Sequence, residues 1–237
     1  MQRGFRSPVG MAYGPDGSLY IANWAGGSVE RIDPRGQRST FADSLASPSG
    51  VAVDQAGHVY VALFNENQVL RLDQQGGRAV FATGLSTPVG MTFDQAGRLV
   101  VANRGDGEVI ALDADGRRTV LARNLPNPAG VTQAADGSYV VANYGGGITR
   151  IRPNGETHTA RHGFATPAAG IVATPSGRVF AVDYGADVVR EVHGDNRSTV
   201  IASGLSKPVG LALTPSNELL VGTWGDGTIW RVRIPES

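Results

Sequence analysis

Six positions set forty residues apart carry Trp24, Phe64, Arg104, Tyr144, Tyr184 and Trp224, five aromatics and one guanidinium in a common register. Flat amphipathic rings stack on a sugar ring, a peptide or a base, and one arginine among them adds a charged hydrogen-bonding fork. Such a set binds; it has no obvious nucleophile or proton carrier. One step earlier stand Asn23, Leu63, Asn103, Asn143, Asp183 and Thr223. The polar members can face a ligand, or they can hydrogen-bond the backbone of their own turn, as short polar side chains at strand ends do. The candidate ligand-binding residues are therefore Trp24, Phe64, Arg104, Tyr144, Tyr184 and Trp224, with Asn23, Asn103, Asn143 and Asp183 beside them. For the aromatics, the competing role is packing over the seam between neighbouring sheets.

The elements that hold these residues follow from a second ladder. Gly10, Gly50, Gly90, Gly130, Gly170 and Gly210 recur every forty residues, with a proline two places before all but Gly170. The second repeat reads Pro48-Ser-Gly50-Val-Ala-Val-Asp54, Gly57-His-Val-Tyr-Val-Ala62, Gln68-Val-Leu-Arg-Leu-Asp73 and Gly77-Arg-Ala-Val-Phe-Ala82. Short runs rich in Val, Ile, Leu and Tyr between Asp- and Gly-bearing turns are antiparallel strands, and none is long enough for a helix. Four strands in about forty residues make one propeller blade, and four to eight such blades close a ring. The chain is predicted to be all-β: a six-bladed β-propeller forming one domain over residues 1–237.

Strand polarity places the Pro-x-Gly loops and the loops after the second strands on one face. Glu66, Asp106, Asp187 and Asp226 share those loops, spread over four blades. Calcium needs six to eight oxygens gathered closely, so these acids read as solvated loop residues. His58 and His193 fall on the opposite face, while His158 and His162 lie toward the periphery in and after a fourth strand. A zinc site or a Ser/His/Asp arrangement needs its members brought together, which this distribution opposes. No catalytic residue, metal ligand or cofactor is assigned.

Composition narrows the partners. Twenty-one basic residues balance 21 acidic ones, which argues against a strong electrostatic hold on nucleic acid or an anionic membrane. No run approaches the roughly 18 apolar residues of a membrane span, and the residues before Pro8 do not read as a signal peptide. With no cysteine, disulfides and thiol chemistry are excluded.

Two irregularities carry structural meaning. The fourth repeat drops a residue at Gly145-Gly-Gly147, and the fifth regains it in Pro167-Ala-Ala-Gly170. Residue 1 aligns with Phe41, the end of a fourth strand, and Pro235 follows a third strand. The sixth blade is thus predicted to have three strands, with Thr228 to Ile234 outermost. Arg231 and Arg233 on that edge discourage edge-to-edge pairing and favour a monomer, an edge-mediated oligomer or a chain cut from a longer parent being the alternatives. Arg31, Arg71 and Arg150 hold the position equivalent to Arg231, which points to a role within the blade.

The text Pro-x-Gly-Val-Ala-Val-Asp-x-x-Gly-x-Val-Tyr-Val-Ala-Asn, nearly whole from Pro48 to Ala62 and from Pro88 to Asn103, resembles NHL repeats, with YVTN repeats close behind. Val140-Val-Ala-Asn-Tyr-Gly-Gly-Gly147 is similar to a phrase of bacterial lactonase propellers. The resemblance covers all six units and implies a six-bladed propeller. Its relatives include protein- and RNA-binding modules, extracellular sensor domains and lyases. In gluconolactonase-like propellers, an axial metal is held partly by Asn or Asp just before the Pro-x-Gly glycine. Those positions are Val9, Ser49, Val89, Ala129, Ala169 and Val209 here, so that metal site has no counterpart. The lyases of related propellers rely on histidines, which the scattered set here does not match.

The leading expectation is a non-enzymatic recognition propeller binding a peptide, glycan or protein partner on the aromatic face. The alternatives are a hydrolase, lactonase or lyase with an axial metal held by Asn103, Asn143, Asp183 or their neighbours, and a scaffold without a small ligand.

Overall fold

The computed structural model describes residues 1–161, 163–194 and 196–236; His162 lies outside them. Blade 1 comprises β1 (Pro8–Tyr13), β2 (Leu19–Asn23), β3 (Ser28–Ile32) and β4 (Arg38–Ala42), and blade 2 β5 (Pro48–Val53), β6 (Val59–Leu63), β7 (Gln68–Leu72) and β8 (Arg78–Ala82). Blade 3 follows with β9 (Pro88–Phe93), β10 (Leu99–Asn103), β11 (Glu108–Leu112) and β12 (Arg118–Ala122). Blade 4 holds β13 (Pro128–Gln133), β14 (Tyr139–Asn143), β15 (Ile148–Ile151) and β16 (Thr157–Ala160). Blade 5 holds β17 (Pro167–Ala173), β18 (Val179–Asp183), β19 (Val188–Val192) and β20 (Ser198–Ala202). Blade 6 has β21 (Pro208–Leu213), β22 (Glu218–Thr223) and β23 (Thr228–Arg233). Each blade is an antiparallel meander in chain order, so the all-β six-bladed propeller expected from the repeats is the observed fold. The one helical turn described is a single 3-10 turn at Arg104–Asp106.

The core lies between blades. Second strands such as Leu99-Val-Val-Ala-Asn103 are buried along their whole length because both of their faces meet a neighbouring sheet. Leu99 and Val101 pack with Tyr60 and Ala62 of blade 2, whereas Val100 and Ala102 pack with Val131 and Val141 of blade 4. The same seam recurs around the ring and closes where Leu19, Ile21 and Ile32 meet Leu220 and Ile229.

The glycine ladder sets the inner radius. A Cβ on Gly50 would stand 2.0 Å from Val89 O, one on Gly130 2.2 Å from Ala169 O, and one on Gly210 2.3 Å from Val9 O. Gly10, Gly90 and Gly170 likewise face the backbone of the next first strand. These residues are not turn glycines; each sits inside a strand and lets two backbones approach around the channel.

The irregularities map directly. In blade 4 the missing residue puts Ile148 opposite Ala142, with Gly146 and Gly147 at φ 118° and 83°, and β17 absorbs the extra residue as a bulge between Pro167 and Ile171. Blade 6 is three-stranded as expected. The chain start nevertheless contributes to it: Gln2 and Ile229 exchange two backbone hydrogen bonds, and Phe5 N–H donates to Gly227 O. Arg231 pairs with Glu218, as Arg31 does with Asp16 and Arg150 with Asp136, so in blades 1, 4 and 6 this register position ties the third strand to the loop before, or the start of, its second.

Candidate functional site

The six positions forty residues apart converge. Trp24, Phe64, Arg104, Tyr144, Tyr184 and Trp224 together line a cavity of about 250 Å³ at one mouth of the channel, whose deeper wall is Val9, Val89, Ala129, Ala168, Ala169 and Val209. Around the rim, Phe64 meets Trp24 edge-on at 4.8 Å, and Trp24 lies 6.1 Å from Trp224. On the other side, Tyr184 and Tyr144 are 6.4 Å apart, and the Arg104 guanidinium stands 4.7 Å over the Tyr144 ring. Lys207 adds a second cation, with Nζ 5.2 Å from the Tyr184 ring centre. Tyr144 and Trp224 are exposed, while Trp24, Phe64 and Tyr184 are half-buried. The rings therefore pack on one another without disappearing between the blades.

Four of the five rings are aimed by their backbone. The N–H of Trp24, Phe64, Tyr144 and Trp224 donates to the carbonyl of Ser7, Ser47, Asn127 and Lys207, the residue just before the blade's first proline. Ser7, Ser47, Thr87, Asn127 and Lys207 all adopt left-handed φ between 45° and 59°. That conformation costs a non-glycine residue about 1–2 kcal/mol and persists because the surrounding hydrogen bonds over-determine it.

The polar residues one step earlier turn the other way. Asn23, Asn103, Asn143 and Asp183 are buried and absent from the cavity lining. Asn23 Oδ1 accepts from Arg6 N–H and Asn103 Oδ1 from Ser86 N–H, both reaching back 17 residues. Asp183 accepts from the N–H groups of Ala165 and Thr166 and from Arg190 Nε. Asn143 donates to Thr149 Oγ1, and Thr223 engages Asp226 and Thr228. Asn23, Asn103 and Asp183 thus grip the segment that leads into their own blade's first strand, a partner far away in sequence, whereas Asn143 and Thr223 bond within their own turn and third strand. They position the rim.

The loop acids are similarly engaged. Asp106 accepts from Asn103, Glu66 pairs with Gln68, and Asp187 lies 3.4 Å from Lys207. Among the described residues, no three His, Asp or Glu side chains gather as a metal-holding group. His58 bonds Asp54 and His193 bonds Thr199, away from this mouth. Ser49, the one polar residue just before a ladder glycine, donates to the carbonyls of Ala62 and Pro88.

Lys207 and the left-handed residues before the prolines escape a reading of spacing alone. Their signal is faint: Ser, Thr, Asn and Lys share that slot, and only asparagine hints at left-handed backbone.

Residues 25–234 match the family described as Outer membrane protein assembly factor BamB. The chain belongs to the BamB family. No curated protein matches the sequence. Among solved structures, this BamB-family chain is similar in fold to a gluconolactonase from Xanthomonas campestris, with a TM-score of 0.83, 17% identity, and coverage of 98% of this chain and 87% of that one. A streptogramin B lyase gives 0.78 at 15% identity, covering 99% and 96%. A chain of the nidogen/laminin complex gives 0.72 at 20% identity, covering 81% and 78%. The neighbours thus include enzymes and a protein of a complex on one shared propeller architecture, and such a likeness specifies fold without specifying activity.

Proposed function

We propose that this BamB-family propeller is a non-enzymatic recognition domain, one folded unit over residues 1–237, whose aromatic mouth binds a peptide, glycan or protein partner. The observation that carries this reading is the convergence of five rings from five blades, with Arg104 from blade 3, on one apolar cavity. Aromatics with an arginine are the residues that dominate binding energy at recognition surfaces, and half-buried rings lose little freedom on contact. Arg104 offers a carboxylate or carbonyl partner while its stem and fork stay braced on Tyr144. The balanced net charge fits a ligand held by stacking and shape in preference to one held by phosphates. A chain of the same fold in the nidogen/laminin complex makes a protein partner compatible with the architecture.

The test is calorimetric titration of the whole chain with a panel of short peptides and oligosaccharides, repeated on a Trp24→Ala, Tyr144→Ala variant. Loss of two stacking surfaces should weaken whichever panel members bind by at least about tenfold. Unchanged affinity would remove the aromatic mouth as the site.

A further inference from the structure

We infer that the aromatic mouth takes the carboxyl-terminal residue of a partner's chain, an aromatic side chain in the cavity and the terminal carboxylate on Arg104. This rests on the reading of the mouth as the recognition site, and it adds which part of a partner is read there. The rim has two unlike arcs. Trp224, Trp24 and Phe64 of blades 6, 1 and 2 form one run of rings, with centroids 6.1 and 4.8 Å apart. Across the mouth, blades 3, 4 and 5 present Arg104, Tyr144 and Tyr184. A ligand that satisfies both arcs is apolar on one side and anionic on the other.

Arg104 is poised for that anion. The charges near it are already matched: Asp106 accepts from Asn103 Nδ2 at 2.8 Å and lies 3.7 Å from Arg118, while Lys207 has Asp187 at 3.4 Å. Among the described residues, no carboxylate pairs with the Arg104 guanidinium, which rests over the Tyr144 ring at 4.7 Å. Its backbone is fixed as well, because Gly105 N–H donates to Ser86 O at 2.8 Å and Gly107 N–H to Arg104 O at 3.1 Å. A carboxylate is the singly charged group that a planar guanidinium binds through two parallel hydrogen bonds. Glu66 and Asp226 belong to the loops of the opposite arc, so an anion is turned toward Arg104.

The cavity selects what carries the carboxylate. Its deeper wall is entirely valine and alanine, against which sugar hydroxyls would lose water without gaining a hydrogen bond. A dry cavity of about 150 Å³ lined by apolar side chains takes up benzene, so about 250 Å³ holds a phenyl or indole group and the backbone atoms next to it. The space deeper in the channel is a separate cavity that meets this one only at Val9 and Ala169, so the pit is entered from the rim. A chain end enters such a pit with one segment leaving it, whereas an internal segment must bring two out past the rings. In a terminal residue the carboxylate and the side chain share one Cα, so a ring in the pit leaves the carboxylate at the rim.

The probe is N-acetyl-Gly-Ser-Gly-Phe with a free carboxylate, titrated into the full chain beside its carboxamide and the same peptide ending in alanine. The free acid is expected to bind at least about tenfold more tightly than either. Arg104→Gln should erase the preference for acid over amide with unchanged circular dichroism, and Arg104→Lys, which keeps the charge without the fork, should retain part of it. Equal binding of acid and amide, a preference that survives Arg104→Gln, or no binding of the acid would overturn the inference. So would phenylpropionate, maltotriose or the amidated internal sequence N-acetyl-Gly-Phe-Asp-Gly binding as tightly as the acid, since each names a different occupant. If acid and amide bind equally but Trp24→Ala weakens both, the mouth remains the recognition site and the carboxylate inference alone falls; binding that Trp24→Ala leaves unchanged removes both.

Discussion

Replacing Gly50 by alanine tests whether the glycine ladder sets the ring. The added Cβ would lie 2.0 Å from Val89 O and 3.2 Å from Val89 C, and real Cβ atoms essentially never come within 3.0 Å of a neighbour. β5 and β9 must therefore part by about 1 Å, and the atom in the way is backbone, which cannot rotate aside. Both strands also pack against the next first strands around the channel, so the displacement cannot stay local. Overpacking of this kind costs about 1–3 kcal/mol, and a backbone obstacle puts Gly50→Ala at the upper end. For a chain of this size, about 3 kcal/mol lowers Tm by roughly 6–12 °C. Gly194→Ala is the control, since none of the described residues comes within 4 Å of its added Cβ and its φ is not left-handed; it should leave stability within about 0.5 kcal/mol. Gly90→Ala, whose nearest backbone atom is 2.7 Å away, should fall between them. Thermal and urea unfolding read all three. A Gly50→Ala loss below about 1 kcal/mol, or one no larger than that of Gly90→Ala, would refute the close-approach reasoning.

Other substitutions address the supports of the site. Asp183→Ala strands the N–H groups of Ala165 and Thr166 and the Arg190 guanidinium beside a fully buried site, and should cost about 3 kcal/mol in urea unfolding while loosening Tyr184. Thr87→Gly removes a left-handed β-branched residue at φ 45°, and should stabilise by up to about 1 kcal/mol once glycine's entropy is set against the relieved strain. Asp94 is held below the usual carboxylate range: burial raises its pKa, but hydrogen bonds from Arg98 N–H, Tyr139 OH and the Arg98 guanidinium outweigh it. A depressed folded pKa gives stability that is present above the unfolded value near 4 and lost as pH falls through the lower folded value. Asp94→Asn should therefore destabilise by about 1.5–3 kcal/mol at pH 7, with the gap from wild type narrowing in unfolding curves taken below pH 4.

Much of the architecture was legible because repetition turns one weak strand signal into six aligned copies. The blade count, the three-stranded sixth blade and the slip at Gly145–Gly147 all follow from that alignment. The rim was legible for the same reason, as Trp24 and its equivalents keep register to the residue. What spacing alone could not supply is where a side chain reaches across the blade. Asn103 looks equally suited to a ligand and to its own turn; its Nδ2 does donate to Asp106 of that turn, but its Oδ1 accepts from Ser86 N–H, a relation that exists only after the chain has doubled back. The ladder glycines carry a similar lesson. A glycine inside an apolar strand signals close backbone approach, but which backbone approaches it depends on ring closure. The Gln2–Ile229 bridge, a single pair made across the full length of the chain, leaves no periodic trace.

The central claim, recognition at the aromatic mouth, is tested most directly by the three tryptophan indole N–H signals in a nitrogen–proton NMR spectrum, assigned by Trp→Phe substitution. Trp24 and Trp224 line the mouth, whereas Trp230 packs in the seam between blades 5 and 6. A panel compound that binds is expected to shift the Trp24 and Trp224 signals and leave Trp230 in place. Binding that moves Trp230 alone, or that leaves all three unmoved, would contradict the account.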